Sequence, residues 1–395
     1  MTSAILVLNA GSSSIKFALY EAAQLGVLCK GDIDAIGIEA TIKVTGSIAP
    51  PLEAGTGLPM RGDHEAVIAW LLGAIRTRLP DVQIAGAGHR VVHGGARFHT
   101  PVRIDERVLA QLDTLIELAP GHEPHNIAAI RAVADVWPQA PQVACFDTAF
   151  RRTQPLIAQL FGLPYAMSEA GIVRYGFHGL SYEYIASVLP EFAGARANGK
   201  VIVAHLGNGA SMCAMNKRRS VATTMGYTAV DGLLMGTRSG AIDPGVILHL
   251  IGHEGMSVET VTDLLNNKSG LLGVSGLSSD VRVLEASHAP RAATALDLFA
   301  YRATRELGAL IAVLGGLDIL VFTGGIGEQS ASMRRRICEA GGWAGITIDD
   351  AANERHQSKI SGPTGPVDVF VIPTDEELVV ARATRQLTSV ESPAQ

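Results

Sequence analysis

The chain has 395 residues, 47% of them hydrophobic and 18% charged, with a formal net charge of −6 and no run of basic residues. That length exceeds what one hydrophobic core usually supports, so two domains are expected. The acidic balance leaves no electrostatic footprint for nucleic acid, so an anionic small molecule has to be met by a few local arginines.

The N-terminus lacks a basic region, a continuous apolar core and a cleavage site, which makes the cytoplasm the expected compartment. Cys29, Cys145, Cys213 and Cys338 lie far apart with no CxxC pair, the pattern of reduced, buried thiols. Residues 5–17, ILVLNAGSSSIKF, read as an apolar strand, an Asn/Gly/Ser turn and a second strand. Such a turn can aim backbone N–H groups and small hydroxyls at an anion. TIKVTGSI continues the β-rich start, and helical patterns then alternate with the strands AGAGHRVVH and QVACFDTAF in α/β order. AFRRTQP, residues 149–155, follows a strand and ends in Pro155, which marks a crossing between lobes.

The second series opens with VIVAHLGNGASMCAM, in which residues 204–211 repeat the outline of the first turn. Either turn alone reads as a hairpin with a polar tip; two, half a chain apart, point to related lobes around one nucleotide. Residues 309–327 form the most membrane-like run, but Gly315, Gly316 and Asp318 interrupt it, so it reads as helix, turn and strand, with no membrane span. TGGIGEQS, residues 323–330, follows that strand and opens a helix near Glu328; its glycines could admit a purine or an α-phosphate, or could serve a close strand-to-helix turn. The last helix, from about Asp375, returns to the first lobe. In IPTDEEL, Thr374 and Glu377 have the spacing of a capping box, which leaves Glu376 available to Mg²⁺ through waters.

Two well-known phosphate loops are absent. GARANGKV, residues 194–201, has Val201 where a P-loop needs Ser or Thr, and it precedes a strand instead of following one. No GxGxxG follows a strand and opens a helix. Arg90 and Arg238 sit among small or apolar neighbours, where a guanidinium fork suits phosphoryl oxygens or a carboxylate, or a structural ion pair. His89 and His93 lack a third zinc ligand. His178, taken alone, reads as a satisfied core histidine.

NAGSSSIKF, GHRVVHGG, FDTAF, RYGFHG, HLGNGAS, MGYT, GLLMGTRSG, SGLSSDVR, FTGGIGE and PTDEEL occur in that order across nearly the whole chain, and together they resemble the acetate kinase family, which includes propionate kinases. The resemblance implies an α/β fold of two duplicated actin/Hsp70-like (ribonuclease H-like) lobes of βββαβαβα type with an interdomain cleft. The first lobe would comprise residues 1–149 plus 376–395 and the nucleotide-binding lobe residues 150–375. The implied activity is Mg²⁺-ATP-dependent, reversible phosphorylation of acetate, with propionate as the alternative acceptor, to the acyl phosphate by a homodimer, with Mn²⁺ able to substitute for Mg²⁺. Its partners would be ATP or ADP and a short-chain carboxylate, with no nucleic acid and no membrane.

Carried onto this chain, the family's metal positions are Asn9 and Glu376. Its catalytic set is Arg90, Asp147, His178 and Arg238, and its substrate contacts are Arg90, Val92, Gly121, His122, Phe177 and Ala229. ATP would meet Ser12, Ser14, Lys16, His205, Gly207, Asn208, Gly209, Asp280, Arg282, Gly325, Ile326 and Gly327. Departures from the family pattern are Arg151, Ala241, Asp375, Gly121 and Ala229; the last two replace bulkier apolar residues around the acyl group. A butyrate kinase remains the closer enzymatic alternative, and a nucleotide-switched interaction protein of the actin or Hsp70 kind remains the alternative from another class.

Overall fold

The computed structural model describes residues 1–11, 13–48, 52 and 56–388. Its contacts divide the chain into two compact units, one of Met1–Ala149 with Asp375–Gln395 and one of Phe150–Thr374.

The first unit is built on β1 (Thr2–Ala10), β2 (Ile15–Glu21), β3 (Val27–Asp34), β4 (Thr41–Thr45), β5 (Val82–Val91), β6 (Val102–Arg103) and β7 (Gln142–Phe146). Among the described residues they form one sheet in the order β4-β3-β2-β1-β5-β7-β6. β1 and β2 pair antiparallel, from Ala4 with Glu21 to Ala10 with Ile15, so the Asn/Gly/Ser segment is a hairpin tip. β5 runs parallel to both β1 and β7. Helix α1 (His64–Arg78) starts at Asp63, whose side chain accepts from Ala66 N, and its Val67, Ile68, Leu71, Leu72 and Ile75 recur at helical spacing in the core beside Leu6, Leu8 and Leu19.

The glycines of AGAGH have a packing reason. The C-terminal helix α10 (Glu376–Thr388) lies directly on β5. A Cβ at Gly88 would stand 2.3 Å from Thr384 Oγ1 and 2.5 Å from Val380 Cγ1, so only a strand without side chains there admits the helix.

In the second unit, β8 (Lys200–Leu206), β9 (Ala210–Asn216), β10 (Arg219–Thr223), β11 (Ile319–Thr323) and β12 (Asp368–Val371) form a sheet in the order β10-β9-β8-β11-β12 among the described residues. The order repeats that of β3-β2-β1-β5-β7: an antiparallel three-stranded meander, then two parallel strands. This is the duplicated α/β architecture. The membrane-like stretch resolves as the end of helix α7 (Pro290–Leu314), a left-handed Gly315 at φ 67° and the buried strand β11. Among the described residues no helix is long and apolar enough to cross a membrane.

Two local expectations need correction. The glycine-rich segment after β11 is itself helical: α8 spans Gly324–Gln329 instead of beginning near Glu328. Glu328 Oε1 accepts from Gly324 N at 2.9 Å and so holds the first turn closed from inside the helix. The capping box at Thr374 and Glu377 does not form. Asp375 begins α10 instead, its Oδ1 accepting from Leu378 N at 3.0 Å, while its carboxylate also meets Lys30 Nζ at 2.7 Å and Tyr20 OH at 3.3 Å.

Candidate functional site

In the first unit the parallel strands β1, β5 and β7 end side by side and bring Asn9, Arg90 and Asp147 together. Arg90 Nε donates to Asp147 Oδ2 at 3.0 Å and to Oδ1 at 3.2 Å, and Nη2 bonds the same carboxylate. Nη1 donates to Asn9 Oδ1 at 2.9 Å, and Glu376 Oε2 lies 3.8 Å from Nε. Burial works against the arginine's charge, but Asp147 and Glu376 outweigh it, so the guanidinium is held firmly charged. Burial likewise pushes the Glu376 carboxyl up to about 7; Arg90 pulls it down, while Asp147 and Glu377 push it further up and Lys16 opposes them.

That arrangement tests the metal assignment. Asn9 near the end of β1 and Glu376 at the start of α10 supply hard oxygen donors, and a carboxyl pushed up by burial and by two neighbouring carboxylates is one that an added cation would ionise. The donor set therefore fits a divalent cation that keeps most of its water. Among the described residues no group of three or more His, Cys, Asp and Glu could cage a metal, and His89 Nε2 meets Gln142 Oε1 at 2.7 Å.

Side chains absent from the sequence reading hold the turn after β5. Val92 N donates to Asn126 Oδ1 at 3.0 Å, His93 N to Glu123 Oε2 at 3.3 Å, and Gly94 N to Thr148 Oγ1 at 3.0 Å. Asn126 and Glu123 belong to α3 (Glu123–Val136), which His122 precedes as N-cap residue, so the helix that carries His122 also fixes Val92. Glu123 is fully buried, with Oε1 lacking a hydrogen-bond partner, and burial pushes its carboxyl up to about 8. Gly121 is exposed, with nothing within 4 Å of a built Cβ. Ser14 is half-buried in the β1–β2 turn and Lys16 is exposed on β2; Ser12 lies outside the described residues.

In the second unit the β8–β9 hairpin closes through Gly207 N donating to Gly209 O at 3.0 Å. His178 and Arg238 meet at this turn: a Cβ at Gly209 would stand 3.3 Å from His178 Nε2 and 3.5 Å from Arg238 Nη1. Gly236 N donates to Asn208 O at 3.0 Å, which ties the turn to the loop carrying Arg238, whose Nη1 also donates to Ala229 O at 3.2 Å. His178 sits in the left-handed region at φ 59° just before α4 (Gly179–Ala193), and its ring stacks on His205 with centroids 4.2 Å apart. Phe177 is buried beside it in sequence.

The remaining nucleotide positions divide. Gly325 approaches the turn, its N lying 3.8 Å from a Cβ built at Gly207, with Ile326 and Gly327 following in α8. Asp280 and Arg282 pair with each other, Nη2 to Oδ2 at 2.6 Å, at the start of α6 (Val281–Glu285). That short helix reaches the glycine segment through Ser330 Oγ, which donates to Glu285 Oε1 at 2.8 Å. Of the departures from the family pattern, Arg151 is a buried structural residue, its guanidinium over Tyr175 and Nη1 donating to Gln159 Oε1 at 2.8 Å.

Comparison with known proteins adds an independent line. The acetokinase family model matches residues 4–382. The chain is 52% identical over 389 residues to an acetate kinase of Rhodopseudomonas palustris, covering 97% of this chain and 98% of that one. It is 48% identical to an acetate kinase of Nitrobacter hamburgensis, covering 97% and 96%. Among solved structures it is similar to a propionate kinase from Francisella tularensis, at 35% identity and a TM-score of 0.88 over 98% of this chain and 100% of that one. A Porphyromonas gingivalis acetate kinase gives 36% identity and a TM-score of 0.84, covering 98% and 99%.

Proposed function

The chain belongs to the acetokinase family, and from that premise we propose that it is an acetate kinase, a phosphotransferase with a carboxyl group as acceptor. An acetate oxygen attacks the γ-phosphorus of ATP, the bond to the β-phosphate bridging oxygen breaks, and acetyl phosphate and ADP result. The reaction is reversible, and propionate is the second acceptor.

The observation that carries this reading is the pair of positioned guanidinium groups. Arg90, oriented by Asp147 and Asn9, meets the carboxylate; Arg238, with His178 Nε2 at the Gly209 turn, meets the transferring phosphoryl group. A carboxylate nucleophile has no proton to lose, so Asp147 needs no general-base role and acts by orienting Arg90. Positioning and charge stabilisation supply most of the catalysis in such transfers. Asn9 and Glu376 would hold Mg²⁺, or Mn²⁺ in its place, and the ion would neutralise charge on the nucleotide phosphates; Ser14 and Lys16 would support them. His205, Gly207, Asn208 and Gly209 cradle phosphate, Asp280, Arg282, Gly325, Ile326 and Gly327 meet adenosine, and Val92, His122 and Phe177 border the acyl acceptor.

The active form is a homodimer. Helix α5 (Pro244–Gly252, PGVILHLIG) is apolar yet buries none of its residues within the chain, leaving Leu248 70% exposed. A second copy of the chain is the partner that would cover it. Among the described residues the four cysteines are free and buried, which fits the cytoplasm.

Hydroxylamine traps acyl phosphate as the hydroxamate. Rapid, ATP-dependent hydroxamate formation with acetate is expected, against slow ATP hydrolysis without it. Hydrolysis indifferent to acetate would favour a nucleotide-switched interaction protein instead, and a butyrate preference would move the chain to another acceptor class.

A further inference from the structure

The two stacked imidazoles of the second unit are anchored alike. His205 Nδ1 meets Ser181 Oγ at 2.8 Å, and His178 Nδ1 meets Ser211 Oγ at 2.8 Å. Both serines are fully buried. Behind His178 the chain of hydroxyls continues, because Ser211 Oγ also bonds Tyr182 OH. Tyr182 lies four residues beyond His178 on α4, and its N donates to His178 O at 3.1 Å. The same helical turn thus fixes both ends of the relay, with β9 supplying Ser211 between them.

Chemistry gives the relay a direction. Of the three groups, the phenol is the strongest acid and the imidazole nitrogen the strongest base, so the favoured sense is Tyr182 O–H to Ser211 Oγ and Ser211 O–H to His178 Nδ1. Nδ1 is then an acceptor, and the neutral ring carries its proton on Nε2, the atom that borders Gly209 beside Arg238 Nη1. In the opposite sense Nε2 would present a lone pair to an anionic phosphoryl oxygen.

We propose that Ser211, backed by Tyr182, is a positioning residue that holds His178 in the Nε2–H tautomer, so that the ring donates to the transferring phosphoryl group without having to be protonated. The proposal rests on the kinase reading above for the role of His178, although the tautomer itself does not depend on it.

Nitrogen-15 NMR of histidine-labelled protein tests it, with the His178 signals assigned by their loss in His178→Ala. In the wild type the proton is expected on Nε2, and finding it on Nδ1 overturns the proposal whatever the variants do. Ser211→Ala should lower kcat roughly tenfold to a hundredfold, by analogy with the loss met when hydrogen-bond partners behind metal-bound histidines are removed, with little change in the KM for ATP. Tyr182→Phe, which keeps the ring in place, should give a mixed tautomer population and a smaller loss. Wild-type kcat and an unchanged tautomer in both variants would also overturn the relay. A His178→Ala enzyme with full kcat would instead remove His178 from the kinase mechanism and leave the NMR result standing on its own.

Discussion

The two arginines occupy different settings, and the settings predict different kinetic phenotypes. Arg238 is half-buried, bonded to the Ala229 carbonyl, and stands beside His178 at the Gly209 turn. Its contacts should strengthen as charge moves onto the phosphoryl group, so Arg238→Ala should lower kcat by on the order of 10²–10³ with a smaller change in the KM for ATP. Unchanged kcat would take it out of the mechanism. Arg90 is held by Asp147 and Asn9 before any substrate arrives, so Arg90→Ala should act mainly on the KM for acetate. Glu123 makes a prediction of a different kind, about pH. Burial raises its carboxyl from an ordinary 4.5 to about 8, so above pH 4.5 the folded protein retains a proton that the unfolded chain releases. The stability present below the unfolded value is therefore lost as pH rises through that window, by at most about 1.4 kcal/mol per pH unit from this one group. Glu123→Gln keeps the shape and removes the titration. Its Tm should gain on the wild type between about pH 5 and about pH 8, whereas a Tm difference constant across that range would show that Glu123 does not titrate there.

At the level of elements, the proposed function separates structural and metal roles among the three consecutive acids at the start of α10. Asp375 caps the helix and pairs with Lys30, so Asp375→Ala should cost about 0.5–2 kcal/mol in urea unfolding. Glu377 accepts no capping bond, and Glu377→Ala should stay within about 0.5 kcal/mol of wild type. Glu376→Ala should leave stability near wild type but raise the Mg²⁺ concentration needed for half-maximal rate. Equal magnesium titrations for Glu376→Ala and Glu377→Ala would contradict that division. Thr374 and Asp375 are both good N-cap residues and local spacing favours the first; what selects Asp375 is Lys30 and Tyr20 on distant strands. The glycine run after β11 has poor helix propensity, which argues for a loop; the Glu328 carboxylate folding back onto Gly324 N and Arg334 Nη1 donating to the Gly327 and Glu328 carbonyls support it as a helix. The hairpins and the buried strands were legible because apolar alternation and Asn/Gly/Ser turns are local signals. Arg90, His178 and Arg238 were legible as odd settings or through the family resemblance. Glu123, Asn126, Thr148, Tyr182 and Ser211 were not, since a buried polar residue reveals its role only through the partner that folding brings to it.

Across the whole molecule, the two units share one strand order, and the proposed function assigns the acceptor and metal to the first and the nucleotide to the second. Two of the departures from the family pattern bear on acyl size. Gly121 and Ala229 stand where the resemblance expects bulkier apolar residues in contact with the acyl group. A positive φ would require glycine, but Gly121 has no positive φ and a built Cβ meets nothing within 4 Å, so its absent side chain is space and not a conformational need. Ala229 is half-buried and uses its carbonyl, not its side chain, to accept from Arg238. Under the proposed reading, both positions leave more room for the acyl group than the bulkier residues that the resemblance expects. One methylene in an apolar pocket is worth roughly 1–3 kcal/mol, enough for propionate to rival acetate in kcat/KM. Gly121→Leu together with Ala229→Pro should restore the preference for acetate by about tenfold or more, read from the ratio of kcat/KM values on acetate, propionate and butyrate. A wild type that already rejects propionate as strongly as the double variant would show that these positions do not set acyl length, and the discrimination would then fall to Val92 and Phe177.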